Sequence, residues 1–435
     1  MNLLKDNMNH ERRRLWGWPV LALALTLYAW FQIAMPLGRL HSNDFKHLYV
    51  GAKILREGYN PYNPERMKYE AYHQGLDSIL PYVYLPFTGL ILSPLTFFPF
   101  PAAALIWFFL NQLIMGISFW LLLGLVQEKK NPLSAGLWLM YLALFFPLSR
   151  NLTAGQLNII LLFCFCLIWV FHTRKSSPLV GFITAFATLF KISPGILFLY
   201  FLWKRQWKNL LWSVLFLCIF NACSVGLVGM DVHKEFISIL RQMSYGSSTW
   251  EKEGMDFYRD PFNQSLNSLF HHLLTPNPYT RPLWSLSPGT ANIVTAYVSF
   301  LLIILVLLKT YPRVKEIVPD MDDKDKEKRD YALFILLSLL IPSLCWDHYL
   351  VQLLWPLVCL AGLISRNRRW KFCLAFSGAL IALAIPYNFN NPLFQSGPWI
   401  LLMSLKLWAA LGIFLMLFMQ NTQSHFVKEE HNEYH

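Results

Sequence analysis

Charge is scarce in this chain. Only 14% of its 435 residues are Asp, Glu, Lys or Arg, against roughly a quarter in a soluble domain, and 55% are hydrophobic. That excludes an ordinary water-soluble globular protein and places the chain in a bilayer. Acidic residues are the scarcer sign, 25 against 37 Lys and Arg, for a net charge of +12. The excess is not a nucleic-acid footprint, because it falls in short clusters between apolar runs, as cytoplasmic loops of membrane proteins do. Cysteine is sparse too. All seven (Cys164, Cys166, Cys218, Cys223, Cys345, Cys359, Cys373) lie in or against apolar segments and none in a long polar loop. A disulfide framework and a zinc site are therefore not expected. No internal repeat is visible, which argues against the two-half plan of many secondary transporters.

What is present is apolar sequence in span-sized pieces. Spans are readable near 15–35, 102–126, 133–149, 155–172, 207–229, 291–309, 331–345, 349–364, 371–386 and 398–419, against about 20 apolar residues per crossing. Residues 83–98, broken by Pro81, Pro86, Pro94 and Pro99, read as re-entrant or as part of one crossing with 102–126. Residues 178–203 are interrupted at Lys191-Ile192-Ser193-Pro194 and read as one long helix or two short ones. Lys5 to Arg14 followed by Leu15 to Met35 has the outline of a signal sequence, but no small-x-small site follows the run. It reads as an uncleaved first span.

Basic clusters set the orientation. Glu128-Lys129-Lys130, Arg174-Lys175, Lys204-Arg205, Lys309 to Arg329 and Arg366 to Lys371 belong inside. The expectation is an all-α bundle of about 12 transmembrane helices in one membrane-embedded domain, both termini cytoplasmic, with short helices in its outer loops. The outer face then collects loop 36–82, Arg150 to Gln156, Lys191, loop 230–290, Trp346-Asp347-His348 and Tyr387 to Gly397. Loop 310–330, a mixed run of Asp, Lys and Glu, is a solvated cytoplasmic loop. An ionisable residue near a span end costs roughly 1–3 kcal/mol unless it meets water, a partner or a ligand. Several converging on one face suggest a polar cavity, although snorkelling explains any single one.

Asp44 opens the first outer loop, where a membrane enzyme holds a general base; the same position suits a helix N-cap. Loop 230–290 combines Tyr245, Trp250, Tyr258, Trp284, Asp260-Pro261 and Asn263-Gln264-Ser265. Amides and rings suit a hydroxyl-rich ligand, or a helical lid packing its own aromatics. The adjacent His271-His272 cannot share a metal in helix geometry, and no clustered His/Asp set on this face suggests one.

A series of residues then carries a resemblance. Asp44-Phe45, Tyr49-x-Gly51-Ala52, Gly58-x-Asn60-Pro61-Tyr62, Tyr84-x-Pro86, Ser93-Pro94-Leu95, Pro99 and Trp107 open it. Gly155-Gln156-x-Asn158, Lys191-x-x-Pro194, Asn263-Gln264-Ser265 and Trp346-Asp347-His348-Tyr349 continue it. The ordered set resembles glycosyltransferase family 87, membrane enzymes of the GT-C class that use polyprenyl-phosphate sugars. Two positions depart: Leu85 where the family often has Pro, and Tyr349 where it often has a second His.

The resemblance implies that a sugar, mannose, passes from a polyprenyl-phosphate donor to a lipid-linked or cell-envelope glycan acceptor, with inversion, outside the cytoplasmic membrane of a bacterium. It implies Asp44 as base, with Asp347 as the rival base or the partner of His348. Lys191 and Arg150 are then donor-phosphate ligands, and Gln156, Asn158, Asn263, Gln264 and Trp250 sugar or acceptor contacts. No cofactor or metal is expected. A secondary transporter and a lipid-linked glycan ligase or polymerase are the alternatives.

Overall fold

The computed structural model describes residues 16–40, 44–126, 131–311, 323–367, 370–387 and 391–420. The basic N-terminal segment, Ser42-Asn43, Lys129-Lys130 and most of the 310–330 loop lie outside those residues. Within them the chain is helical, and β-pairing is limited to two isolated bridges, Asn263 with Trp346 and Arg281 with Ser396.

The first helix, α1 (Trp16–Leu37), is apolar and long enough to span, about 33 Å at 1.5 Å per residue. Two helices on loop 36–82 follow, α2 (Phe45–Arg56) and α3 (Pro64–His73), joined by Lys53–Glu70 at 2.7 Å. Pro64 opens α3, and the Asn63 side chain accepts from the N–H groups of Glu65 and Arg66. Next come α4 (Pro86–Leu92) and the 3₁₀ turn Ser93–Phe97, packed on α2. Gly89 permits this approach, because a Cβ there would overlap Leu55 of α2, and Gly51 likewise leaves room for the ring of Tyr82. Segment 83–98 starts with Tyr84 bonded to Gln156 and leaves with Phe98 bonded to Tyr49, so both its ends lie at one end of the bundle.

The membrane helices continue with α5 (Phe100–Val126), α6 (Pro132–Leu144), α7 (Phe146–Ala154) and α8 (Asn158–Thr173). α6 and α7 are bent by 56° at Phe145, and Gly155, left-handed at φ 67°, stops α7. Segment 178–203 folds as two short helices, α9 (Ser177–Phe190) and α10 (Ile196–Trp203). The break follows from Pro194, which has no N–H to continue a ladder. Thr88 Oγ1 donates to the carbonyls of Leu189 and Phe190, buried at the end of α9. α11 (Trp207–Val228) then runs into an amphipathic helix, α12 (Met230–Gln242). α13 (Leu266–Leu274) lies in loop 230–290, before α14 (Pro288–Thr310) and α15 (Asp323–Leu340). A 3₁₀ segment, Asp347–Leu353, leads into α16 (Leu354–Asn367); α17 (Trp370–Ala384), α18 (Ile400–Met403) and α19 (Leu405–Met419) complete the chain.

Burial sorts these helices. Every residue from Tyr331 to Leu340 is buried, as an all-round apolar helix at the centre should be. Tyr331, Trp169, Trp355 and Tyr200 pack ring against ring around it. α1, α11 and α14 instead expose Trp16, Leu211, Leu227, Ile293 and Leu308, surface that only lipid covers favourably. Lipid is as apolar as Leu, so packing and interhelical hydrogen bonds hold such a bundle, at roughly 0.6–2 kcal/mol per bond. Tyr28 donates to Gln112 at 2.8 Å, Gln112 to the Gln32 carbonyl at 2.6 Å, and Gln32 to the Ala143 carbonyl at 2.8 Å.

Among the described residues, five helices are long and apolar enough to cross a membrane, or seven if each bent pair counts as one span. The other apolar helices, α8, α9 and α10 among them, have 16, 14 and 8 residues. Length and composition thus identify a membrane protein without establishing about twelve crossings. One end of the bundle gathers His172–Glu327, Lys204–Asp330, Arg329–Asp330 and Arg366–Asp325. Asp44, Arg150, Gln156, Lys191, Asp347 and His348 gather at the other.

Candidate functional site: a carboxylate, amides and cations at one end of the bundle

Asp44 stands at the N-cap of α2, but its side chain caps nothing. It accepts instead from Gln156 Nε2 at 3.4 Å, a long hydrogen bond. Gln156 Oε1 accepts in turn from the Tyr84 hydroxyl at 3.2 Å, and the Tyr84 carbonyl accepts from the Tyr62 hydroxyl at 2.6 Å. The turn at Gly155 that ends α7 places Gln156 there, and the Gly155 carbonyl is held by Trp107 Nε1 at 2.8 Å.

One turn into α2 is His47, a neighbour that sequence reasoning passed over although it lies three residues from Asp44. Its Nδ1 accepts from the Leu80 N–H at 3.1 Å. Burial pulls its pKa down to about 4 against the opposing charge of Asp44, so His47 is neutral and not a cationic ligand. The charge of Asp44 also reaches Tyr84, His348 and Tyr349.

Lys191 sits in the break between α9 and α10. Its ammonium donates to Asn158 Oδ1 at 3.0 Å and lies 3.0 Å from the centroid of the Tyr349 ring. Asn158 Oδ1 also accepts from Gln352 Nε2 at 3.2 Å, while Asn158 Nδ2 donates to Asn151 Oδ1 at 3.0 Å. Asn151 Nδ2 donates to the Gln156 carbonyl at 3.2 Å. A run of amides therefore links the Asp44 carboxylate to the Lys191 ammonium, entering Gln156 at its side chain and leaving at its main-chain carbonyl. Gln352 and Asn151 are additions to the expected set, and only their buried depth in apolar runs marked them.

Arg150, on α7, pairs with Asp347 Oδ2 at 3.1 Å, and its guanidinium stands 5.5 Å over the Phe262 ring. Asp347 is fully buried at the start of its 3₁₀ segment. His348 Nδ1 is 3.4 Å from Asp347 Oδ1, within ion-pair range but misaligned for a hydrogen bond. Asp347 Oδ1 and both ring nitrogens of His348 are buried without a hydrogen-bond partner. A second loop carboxyl, Asp260, feels both Arg150 and Asp347; burial raises its pKa, Asp347 adding to the rise and the Phe262 N–H opposing it.

The amides of loop 230–290 face protein. Asn263 Nδ2 donates to the carbonyls of Tyr258 and Ser343, both at 3.2 Å, and its Oδ1 accepts from the Cys345 N–H at 2.8 Å. Gln264 Nε2 donates to the carbonyls of Pro261 and Met403, and its Oε1 accepts from the Lys406 N–H across the break between α18 and α19. These side chains pin the loop beneath Trp346-Asp347. Trp250 packs against Phe257 at 5.1 Å, with its indole N–H buried and unpartnered. Lys406, also passed over, is buried with its ammonium on the Leu383 and Ile385 carbonyls, both at 3.0 Å, at the end of α17.

The arrangement offers a buried carboxylate near cations and an unpartnered imidazole, at the end of a lipid-facing bundle. Comparison with known proteins points the same way. Residues 82–318, more than half of the chain, match the model of glycosyltransferase family 87. That match includes Tyr84, Gln156, Asn158, Lys191 and Asn263; Asp44, Asp347 and His348 lie outside it. Over 202 residues the chain is 27% identical to the polyprenol-phosphate-mannose-dependent alpha-(1-2)-phosphatidylinositol pentamannoside mannosyltransferase of Mycolicibacterium smegmatis (strain ATCC 700084 / mc(2)155). That stretch is 45% of this chain and 46% of the relative, so the chain spans about half the length of the curated relative it matches. No solved structure matches. On the extent of the family match, this membrane protein belongs to glycosyltransferase family 87.

Proposed function

We propose that the protein is a glycosyltransferase that moves mannose from a polyprenyl-phosphate donor to a lipid-linked or cell-envelope glycan, with inversion, at the outer face of a bacterial cytoplasmic membrane. The observation that carries this reading is the Asp44–Gln156–Asn151–Asn158–Lys191 chain, which holds a carboxylate and an ammonium in one site. The relative's dependence on polyprenol-phosphate-mannose supports the donor class.

In this reading the acceptor hydroxyl attacks C1 of the sugar as the bond from C1 to the phosphate oxygen breaks. The acceptor proton goes to Asp44, and the electron pair leaves on polyprenyl phosphate. Lys191 meets the phosphate charge as it grows. His348, with both nitrogens unpartnered, is the second phosphate or proton partner. Arg150 and Asp347 neutralise each other, with Asp347 in ion-pair range of His348. Trp250, Asn263 and Gln264 shape the loop over the site. Loops 36–82 and 230–290 form its outer wall, and both termini are cytoplasmic.

The test is transfer by the purified protein from a panel of polyprenyl-phosphate sugars to membrane lipid extract, with the anomeric configuration of the product read by NMR. Transfer from polyprenyl-phosphate mannose with inverted configuration is expected; transfer from nucleotide sugars alone overturns the donor. Single cysteines at Asp77 and Met255, both exposed at the Asp44 end, should react with an impermeant thiol reagent from outside, and one at Lys208 should not. The reverse pattern overturns the orientation.

A further inference from the structure

Lys191 differs from the other cations set into the bundle. Lys53 pairs with Glu70, Lys204 with Asp330 and Arg150 with Asp347. Lys406 rests on helix-end carbonyls. Lys191 has the Asn158 amide oxygen and the face of Tyr349, and among the described residues no carboxylate stands within ion-pair range of it. The orientation of Asn158 is set by its neighbours. Two donors, Lys191 Nζ and Gln352 Nε2, converge on one atom, and Asn151 Oδ1 requires a donor at the other. The oxygen must therefore face the ammonium.

Three further polar atoms in this region are buried and unpartnered: both ring nitrogens of His348 and Gln352 Oε1. Buried polar atoms are seldom left without partners, so they mark a place that something polar completes. An ammonium held only by neutral groups lacks a counter-charge, and an incoming anion supplies it, whereas one held by a carboxylate is already paired.

We infer that Asn158 is a positioning and selectivity residue: its neutral amide aims Lys191 without quenching it, which keeps the site selective for a phosphate-bearing polyprenyl donor. This rests on the transferase reading above. It assigns Asn158 to donor discrimination through Lys191 and not to direct contact with sugar.

The test is equilibrium binding of a short-chain polyprenyl phosphate to the detergent-solubilised full-length protein, with the polyprenol of equal length as the uncharged control. Wild type should bind the phosphate more tightly than the alcohol. Asn158→Asp, close to isosteric, should weaken phosphate binding by about tenfold or more, the scale of one charge-assisted bond, with alcohol binding unchanged. Asn158→Ala, which loses the hydrogen bonds but adds no charge, should retain the phosphate preference within about threefold. A purely structural role predicts the opposite order, with Ala more harmful than Asp to binding and to thermal stability alike, and that order overturns the inference. Should Asn158→Asp not fold, Gln352→Glu brings a carboxylate against the same amide and should give the same loss; undiminished phosphate preference in that variant equally overturns it. Absence of any phosphate preference in wild type would instead sink the donor reading itself.

Discussion

Arg150 and Asp347, 197 positions apart in sequence, meet at 3.1 Å on the wall of the site. Asp347 is wholly buried and Arg150 about one-third exposed, so the pair is a carboxylate sequestered from water by one guanidinium. Removing one partner of such a pair strands the other charge.

Arg150→Ala should therefore destabilise the protein by roughly 2–3 kcal/mol, below the full cost for a buried pair because the guanidinium is partly solvated. The measurement is thermal unfolding in detergent, with Arg150→Lys losing less. An unchanged Tm alongside weakened donor binding would make Arg150 a phosphate ligand and not the counter-ion of Asp347.

Asp44→Asn should abolish transfer and leave the fold intact, because the Asp44 side chain caps no helix and has one long bond to lose. Loss of a general base costs on the order of 10²–10⁴ in rate. More than a tenth of wild-type turnover in Asp44→Asn would remove Asp44 as base, and Asp347→Asn is then the next variant to assay.

Lys191→Ala should raise the KM for donor far more than that for acceptor, by roughly 1.5–3 kcal/mol of lost charge-assisted contact. Because no carboxylate among the described residues pairs with Lys191, stability should fall little. Equal effects on both substrates would place the phosphate elsewhere.

Stability should fall as the medium is acidified from about pH 6.5 towards 4. His47 and His272 are held neutral by burial, each with its pKa lowered to about 4 from the ordinary 6.5. The unfolded chain takes up protons in that window and the folded chain does not, so the stability present above pH 6.5 is lost as pH falls. Asp44 opposes the shift at His47; at His272 the bond to the Arg259 carbonyl opposes it, while His271 and Arg259 deepen it. His47→Gln and His272→Gln should flatten the curve of Tm against pH between 4 and 6.5. A slope unaltered in both variants would assign the acid sensitivity to other groups.

The local half of this architecture is legible in the chain. Apolar run length marks the chain as a membrane protein without giving the number of crossings, Lys191 to Pro194 interrupts 178–203 where the structure separates α9 from α10, and Gly155 stops α7 just before Gln156. These follow from backbone sterics and periodicity within a few residues, which the sequence by itself determines. It also brought out Lys191 and Asp347-His348, since ionisable groups in apolar sequence are costly and therefore conspicuous, and Asp44 by its place at the opening of the first polar loop. Tertiary packing decided what each polar atom faces. Asn263 and Gln264 have the chemistry to hold a sugar, yet their amides are spent on the Tyr258, Ser343, Pro261 and Met403 carbonyls. Nothing local distinguishes an amide turned to a ligand from one turned to backbone. The bond of neutral His47 to Leu80, and that of Asn158 to Lys191 33 positions away, were equally unreadable, although Asn158 itself stood among the expected site residues. Hydrogen-bond partners are chosen by helices brought together from distant parts of the chain, and that choice is made only when the bundle packs.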